Sequence, residues 1–292
     1  MTLKISLIHS MPIYVKQGAV PSLSVLLCVN RTNQYLAEAV HSVLSQDDSD
    51  FEFLIAANAC NDELVDELHG LVGGDSRVKI FRTVIGQLAF NLNYLADQAC
   101  GDYLVRMDSD DVCEPNRLGV LRQSLAENPV DVLGSWACLI NGEGQTIGEF
   151  RLPIEHSEIV RKLPFGTVFC HPTVAIRREF LLSMRGYLGG FVSEDTDLWL
   201  RGVRQGASFR NIPACLLRYR VHAAQSSGSR RGYAEVAGYW LREMLSAPSW
   251  YVARGLIAAV TKCMFVPLLA WARTRGFGMR AAPASNKGSE QR

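Results

Sequence analysis

The sequence predicts an α/β protein built on an open, mostly parallel sheet with flanking helices, followed by helices of a different character. Three observations carry that prediction. Between residues 22 and 107, short apolar runs alternate with stretches of helical period, the pattern of parallel strands joined by crossover helices. The apolar runs show no inside/outside alternation, as expected of strands covered on both faces. A chain of 292 residues, 48% hydrophobic and 20% charged, is long enough to bury such a sheet.

The elements follow in order. Ser22–Val29 is the first strand, and Tyr35–Ser45 the first helix, with Leu36, Ala39, Val40, Val43 and Leu44 along one side. Phe51–Ala57 is a second strand and Glu63–Val72 a second helix. Val78–Arg82 is a third strand, Ala89–Ala99 a third helix and Tyr103–Met107 a fourth strand. Asn30, Asn58 and Asp108 each stand at the carboxyl end of a strand, where ligands of open α/β sheets gather. Beyond Pro129 the pattern is less regular. It offers strands near 130–140, 146–151 and 167–176, and helices near 157–163, 178–184 and 196–205.

Charge divides the chain. Residues 1–229 carry 20 Lys/Arg against 26 Asp/Glu, whereas residues 230–292 carry 10 against 3. The basic end suits an anionic surface. Its stretch Trp250–Arg273 is largely apolar but contains Arg254 and Lys262. A central lysine costs about 3 kcal/mol in a bilayer, so a helix lying on a membrane surface is the expectation, with packing against the rest of the chain as the alternative. The division is therefore an extension at 1–21, the main domain at 22–229, a basic helical segment at 230–280 and a disordered tail at 281–292. Eight cysteines without a C-x-x-C pair argue against a zinc site or disulfide framework and for a reducing compartment. Residues 1–10 hold only a short apolar stretch, so no cleaved secretory leader is expected.

The chemistry concentrates in Leu104-Val105-Arg106-Met107-Asp108-Ser109-Asp110-Asp111, an apolar strand running into three carboxylates. Carboxylates this close raise one another's pKa unless a cation intervenes, and Mg²⁺ or Mn²⁺ prefers oxygen ligands supplemented by substrate phosphates. The alternative is an acidic turn that caps a helix starting near Pro115. A second acidic pair, Glu194-Asp195, precedes Leu198 and Trp199; it suits either catalysis or the positive end of a helix dipole. Asp197 is placed to pair with Arg201 one turn on, and His171 is expected to be structural.

Together these segments resemble the family 2 inverting glycosyltransferases of bacteria, over residues 22–228. Val29-Asn30 is similar to the family's nucleotide-binding start. Ser42-Val43-Leu44-Ser45-Gln46 resembles its S-V-L-x-Q helix, and Phe51–Ile55 its F-E-L-I-I strand. Gly86–Asn91 resembles its G-x-x-x-A-R-N helix. Asp108-Ser109-Asp110-Asp111 with Pro115 looks like its L-D-S-D-D-x-x-x-P signature. His171-Pro172-Thr173, Glu194–Arg201 and Tyr219-Arg220-Val221-His222 resemble its H-P-T, E-D-x-D-L-W-L-R and Y-R-x-H motifs.

The resemblance implies a GT-A fold and a metal-dependent, inverting transfer of a sugar from a nucleoside-diphosphate sugar to a hydroxyl. The acceptor it implies is a glycan, lipid-linked in many relatives, in lipopolysaccharide, O-antigen, capsule or exopolysaccharide synthesis. It places the general base at Asp195, with Glu194 orienting, and the donor against Val29, Asn30, Asn58, Asn91, Asp108, Ser109 and Arg220. Mn²⁺ or Mg²⁺ falls to Asp108 and Asp110 with His222, Asp111 being an alternative ligand. Arg220 is available as a bidentate phosphate fork. The implied location is cytoplasmic, at the inner face of the cell membrane, with no nucleic-acid partner. One departure stands out: Asn58 occupies a position where the family carries an aspartate, which leaves the base of the donor nucleotide open. A non-catalytic descendant that only binds nucleotide sugars is the competing reading, opposed by retention of Asp108, Asp110 and Asp195. A nucleotidyltransferase would need a glycine-rich loop after the first strand, and residues 29–33 contain no glycine.

Overall fold

The computed structural model describes residues 22–190, 192–222 and 230–274. The extension at 1–21 and the tail at 281–292 lie outside them. The chain divides into two compact units, Met1–Gln225 and Ser226–Arg292.

The first unit begins with β1 (Leu23–Val29), α1 (Leu36–Leu44), β2 (Phe51–Asn58), α2 (Asp62–Val72), β3 (Val78–Thr83), α3 (Leu88–Gln98) and β4 (Tyr103–Met107). Each matches an element expected from the sequence to within one residue or two. β1 and β4 are buried along nearly their whole length, as continuous apolar runs require. α1 buries Leu36, Ala39, Val40 and Val43, the spacing of one helical face. α2 is punctuated at both ends: the Asn61 side chain accepts from the Leu64 N–H at its start, and Gly73 adopts a left-handed φ of 57° at its end. Gly101, entering β4, packs so closely on β1 that an added Cβ would lie 2.5 Å from Ser24 Oγ and 2.8 Å from its backbone nitrogen.

The second half adds β5 (Val112–Cys113), α4 (Arg117–Glu127), β6 (Val132–Ile140), β7 (Thr146–Phe150), α5 (His156–Lys162), β8 (Ala175–Arg177), α6 (Arg178–Ser183), α7 (Glu194–Arg204) and β9 (Phe209–Arg220). The strand expected over 167–176 contracts to β8. Most of that run folds differently because Pro172 lies in a 3-10 turn at His171–Thr173, and Thr173 Oγ1 is engaged with the carbonyls of Cys170 (2.7 Å) and Ser135 (3.2 Å). Side chain–backbone bonds of this kind compete with a ladder. β5 and β9 were not expected. Pro213 interrupts β9 where its register against β6 shifts, between Ser135↔Ile212 and Trp136↔Cys215; a proline is tolerated at such a bulge.

The strand order is β3-β2-β1-β4-β8-β6-β9-β5, with β7 on β6. The β3-β2-β1-β4 half is parallel. Beyond it β8 runs antiparallel to β4 and β6, while β6 and β9 form a long parallel ladder. The chain fills the sheet outward from β1 to β3 and then returns to place β4 on the other side of β1. The strand order thus reverses at the carboxyl ends of β1 and β4, where a crevice opens. Asn30, Asn58 and Asp108 border it side by side, because Val29 pairs with Ala57 and Leu27 with Met107.

The second unit holds α8 (Arg230–Ser246) and α9 (Trp250–Thr274), joined by Ala247-Pro248-Ser249. Gly255 lets α9 approach the buried Trp240 ring, where a Cβ would come within 2.4 Å. Leu241, Leu245, Trp250, Ile257, Met264 and Phe265 remain exposed. Among the described residues no helix is long and apolar enough to cross a membrane.

Candidate active site

β4 delivers Asp108, Ser109, Asp110 and Asp111 to the reversal point. One carboxylate oxygen from each of the three aspartates lies within 4.8 Å of the others. The run is not a helix cap, because β5 separates it from α4. Asp108 is held from below by Arg106, whose Nη1 lies 2.7 Å from its Oδ1. Ser109 Oγ accepts from Asn33 Nδ2 at 3.2 Å. Asp110 pairs with His222, Nε2 to Oδ2 at 2.8 Å. Asp111 is buried; its Oδ1 accepts from the Arg220 backbone N–H at 2.8 Å, while its Oδ2 has no protein partner. Burial and the neighbouring charges of Asp108 and Asp110 push the Asp111 carboxyl well above the ordinary carboxylate range.

The cluster fits a divalent cation. Its donors are hard oxygens, they converge, and one buried oxygen is orphaned among like charges, a situation that a cation relieves. Asp108, Asp110 and Asp111 are the residues that would hold it, with His222 steadying Asp110.

Two residues expected at the donor are committed elsewhere. The family resemblance offers Arg220 as a phosphate fork. Its buried guanidinium instead donates to the carbonyls of Asp110 (2.8 Å), Asn141 (3.2 Å) and Gly142 (3.3 Å) and to Glu38 Oε2 (2.6 Å). It also stacks 4.1 Å from the Tyr35 ring centroid. Arg220 therefore shapes the acidic loop. Asn91 is fully buried; its amide donates to the carbonyls of Ile85 and Gln87, both at 2.7 Å, and accepts from Thr83 Oγ1. No donor remains for a ligand, so it pins the loop after β3. Asn58 does face the crevice end of β2, buried, with an unpartnered Oδ1. Val29 is buried and Asn30 exposed at the end of β1.

The second carboxylate pair opens α7, which starts two residues earlier than expected. Glu194 is buried and Asp195 half-buried. Asp195 Oδ1 accepts from the Thr196 N–H at 2.7 Å. Burial and the neighbouring Asp195 raise the Glu194 carboxyl to about 7, and burial raises Asp195 as well. Across from them His171 Nδ1 lies 3.8 Å from Glu194 Oε1, with its other ring nitrogen 2.9 Å from the Tyr187 hydroxyl. Burial and the Arg106 charge hold His171 well below its usual range, hence neutral. Asp197 forms its one-turn pair with Arg201 at 2.7 Å, buried.

Sequence reasoning passed over Arg106 and Arg117, the buried cations beneath the site. Arg117 Nη2 bridges the carbonyls of Arg106 (2.9 Å) and Pro172 (2.8 Å). The available signal was an arginine inside a strand with no polar face.

The family model for glycosyl transferase family 2 matches residues 24–184. The chain is 40% identical over 226 residues to the O-antigen biosynthesis glycosyltransferase WbnJ of Escherichia coli, spanning 76% of this chain and 89% of that one. It is 25% identical over 229 residues to an Escherichia coli UDP-Gal:alpha-D-GlcNAc-diphosphoundecaprenol beta-1,3-galactosyltransferase, spanning 73% and 78%. A mannosyltransferase from Pyrobaculum calidifontis, solved with GDP-Man and Mn²⁺, shares the fold with a TM-score of 0.62 at 15% identity, over 88% of this chain and 76% of that one. The α/β architecture is thus of the GT-A type, and the chain belongs to glycosyl transferase family 2.

Proposed function

We propose that the protein transfers a sugar, with inversion at the anomeric carbon, from a nucleoside-diphosphate sugar to a hydroxyl of a lipid-linked glycan. The product would be an O-antigen or related surface polysaccharide. One observation carries this reading: a convergent acidic triad stands at the sheet's reversal point, in a chain whose α7 opens on a second carboxylate pair. A Mn²⁺ or Mg²⁺ held by the triad would supply Lewis-acid neutralisation of the departing diphosphate. Asn30, Asn58 and Ser109 line the nucleotide end. Asp195, oriented by Glu194 and the Thr196 amide, takes the acceptor proton. The acceptor oxygen then forms its bond to the anomeric carbon from the face opposite the breaking carbon–oxygen bond.

The acceptor class is supported by the diphosphoundecaprenol-linked substrate in the second relative's name and by the exposed apolar residues of α8 and α9 beside Arg254 and Lys262. These residues suit attachment to an anionic membrane at its cytoplasmic face. Release of nucleotide from a panel of nucleoside-diphosphate sugars with Mn²⁺ tests the activity. Asp195→Asn is expected to leave donor binding intact and lower turnover by about 10²- to 10⁴-fold. Turnover equal to the parent's would remove Asp195 from the role of base.

A further inference from the structure

Folding brings exposed apolar side chains from two distant segments to one edge of the crevice. Val84 and Ile85 follow β3, Phe90 lies on the first turn of α3, and Leu188 lies between α6 and α7. All are exposed, Val84 by 91% and Leu188 by 53%. Residues 178–190 run antiparallel along α3. Arg178 Nε donates to the Ala96 carbonyl at 3.0 Å, near the end of that helix. Asn93 accepts from the Tyr187 N–H at 2.8 Å and donates to the Tyr187 carbonyl at 2.9 Å, and Gln87 Nε2 donates to the Gly190 carbonyl at 3.4 Å. Gln87, Phe90 and Asn93 form one i, i+3 row, so Phe90 lies between the two tethers that bracket Leu188. Asn91 holds the Ile85 carbonyl at 2.7 Å, which keeps the turn before α3 at the same place. Both ends of this lip reach the site. Gly86 packs over the residue after Asn58, where an added Cβ would lie 3.1 Å from Ala59 Cβ. Tyr187, next to Leu188, sets its hydroxyl 2.9 Å from His171 Nε2, and His171 Nδ1 lies 3.8 Å from Glu194 Oε1.

Arg185, three residues before Leu188, is exposed and holds a left-handed φ of 60°. Its side chain has neither a hydrogen bond nor an ion pair among the described residues. The chemistry of the lip selects its occupant. Sugar hydroxyls would lose water there without gaining partners. A second protein chain needs a broader face: the lip exposes on the order of a few hundred Å², against roughly 800 Å² buried by each partner of a stable complex. A single hydrocarbon chain needs neither hydrogen bonds nor a broad face, and an unpaired guanidinium beside it complements a diphosphate. We propose that the lip is a subsite for the lipid end of the acceptor, resting on the lipid-linked acceptor proposed for the reaction. Val84, Ile85, Phe90 and Leu188 take the isoprene units next to the diphosphate, and Arg185 takes the diphosphate itself. The glycan beyond it is then directed toward the α7 carboxylates.

The test is calorimetric binding of farnesyl diphosphate to the full chain, with inorganic diphosphate and farnesol as its two halves. No divalent cation is added, so that the acidic triad does not take the diphosphate. Wild type is expected to bind farnesyl diphosphate more tightly than either half. Phe90→Ser with Leu188→Ser should weaken that binding about 10- to 100-fold and leave inorganic diphosphate unaffected. Arg185→Asn, whose new residue tolerates the left-handed backbone, should weaken farnesyl diphosphate about fivefold and leave farnesol unaffected. If a variant fails to fold, methyl NMR of the unmutated protein decides: the Val84, Ile85 and Leu188 signals must shift with farnesyl diphosphate. Wild-type affinity in the folded double variant, or methyl shifts confined to α8 and α9, overturns the proposal. Lost sedimentation of the double variant with anionic vesicles, at unchanged farnesyl diphosphate affinity, makes the lip a bilayer contact and overturns it as well. If no nucleoside-diphosphate sugar is turned over, the proposed transfer fails, and the binding data still judge the lip.

Discussion

Glu194 shows how a side chain's surroundings set its chemistry. Its carboxyl, ordinarily at 4.5, is raised to about 7 by burial and by Asp195. The sign of the stability effect follows. Between about 4.5 and 7 the folded protein binds more protons at this site than the unfolded chain, so stability falls as pH rises through that window. Above it the buried charge costs the fold up to about 3 kcal/mol. Glu194→Gln is therefore expected to raise the melting temperature at pH 8 and leave it unchanged near pH 4, as scanning calorimetry would show. Asp111 obeys the same logic, with its carboxyl raised by burial and two like charges. Asp111→Asn should melt higher than wild type without metal at neutral pH, yet gain less stability from added Mn²⁺, since ligand binding stabilises only as far as the folded site retains affinity. A larger Mn²⁺ response in the variant would exclude Asp111 from the metal site.

At the scale of elements, β9 anchors the acidic loop. Its last residue supplies one backbone donor and a complete guanidinium to the loop and its neighbours. Arg220→Met leaves the carbonyls of Asp110, Asn141 and Gly142 without that donor and is expected to cost about 2–4 kcal/mol in denaturant unfolding. Arg220→Lys should recover little, because a point charge cannot span four acceptors. Gly101→Ala should cost about 1–3 kcal/mol, since the new methyl would meet the backbone of β1. The elements up to β4 were legible because apolar runs and helical periods were unbroken and punctuated by residues such as Asn61 and Gly73. β9 was not, because Pro213 and the register shift beside it disguise a long strand as two short fragments. Arg220 misled for a related reason: a Y-R-x-H string states that an arginine is present and says nothing of what it grips.

For the molecule as a whole, the proposed function gives the first unit the chemistry and the second the attachment to a membrane. The first carries both carboxylate sets, and the second carries a basic surplus and an exposed apolar face. Truncation after Ser229 is expected to abolish sedimentation with vesicles of anionic lipid while soluble-acceptor turnover persists, and Trp250→Ser with Ile257→Ser should weaken vesicle binding in the full chain. Sedimentation unchanged by truncation would rule out the second unit as the anchor.

Residue order alone established the family, the crevice and the two acidic motifs, because strand ends and short motifs are local and survive reading one residue at a time. Which groups near the crevice are free for a ligand was settled by packing. Asn91 gave its donors to backbone carbonyls, Arg220 gave its own to carbonyls and to Glu38, and Arg106 came to lie buried against Asp108 with its carbonyl held by Arg117. Burial and hydrogen-bond saturation are properties of neighbours brought together by folding, and a linear string does not contain them.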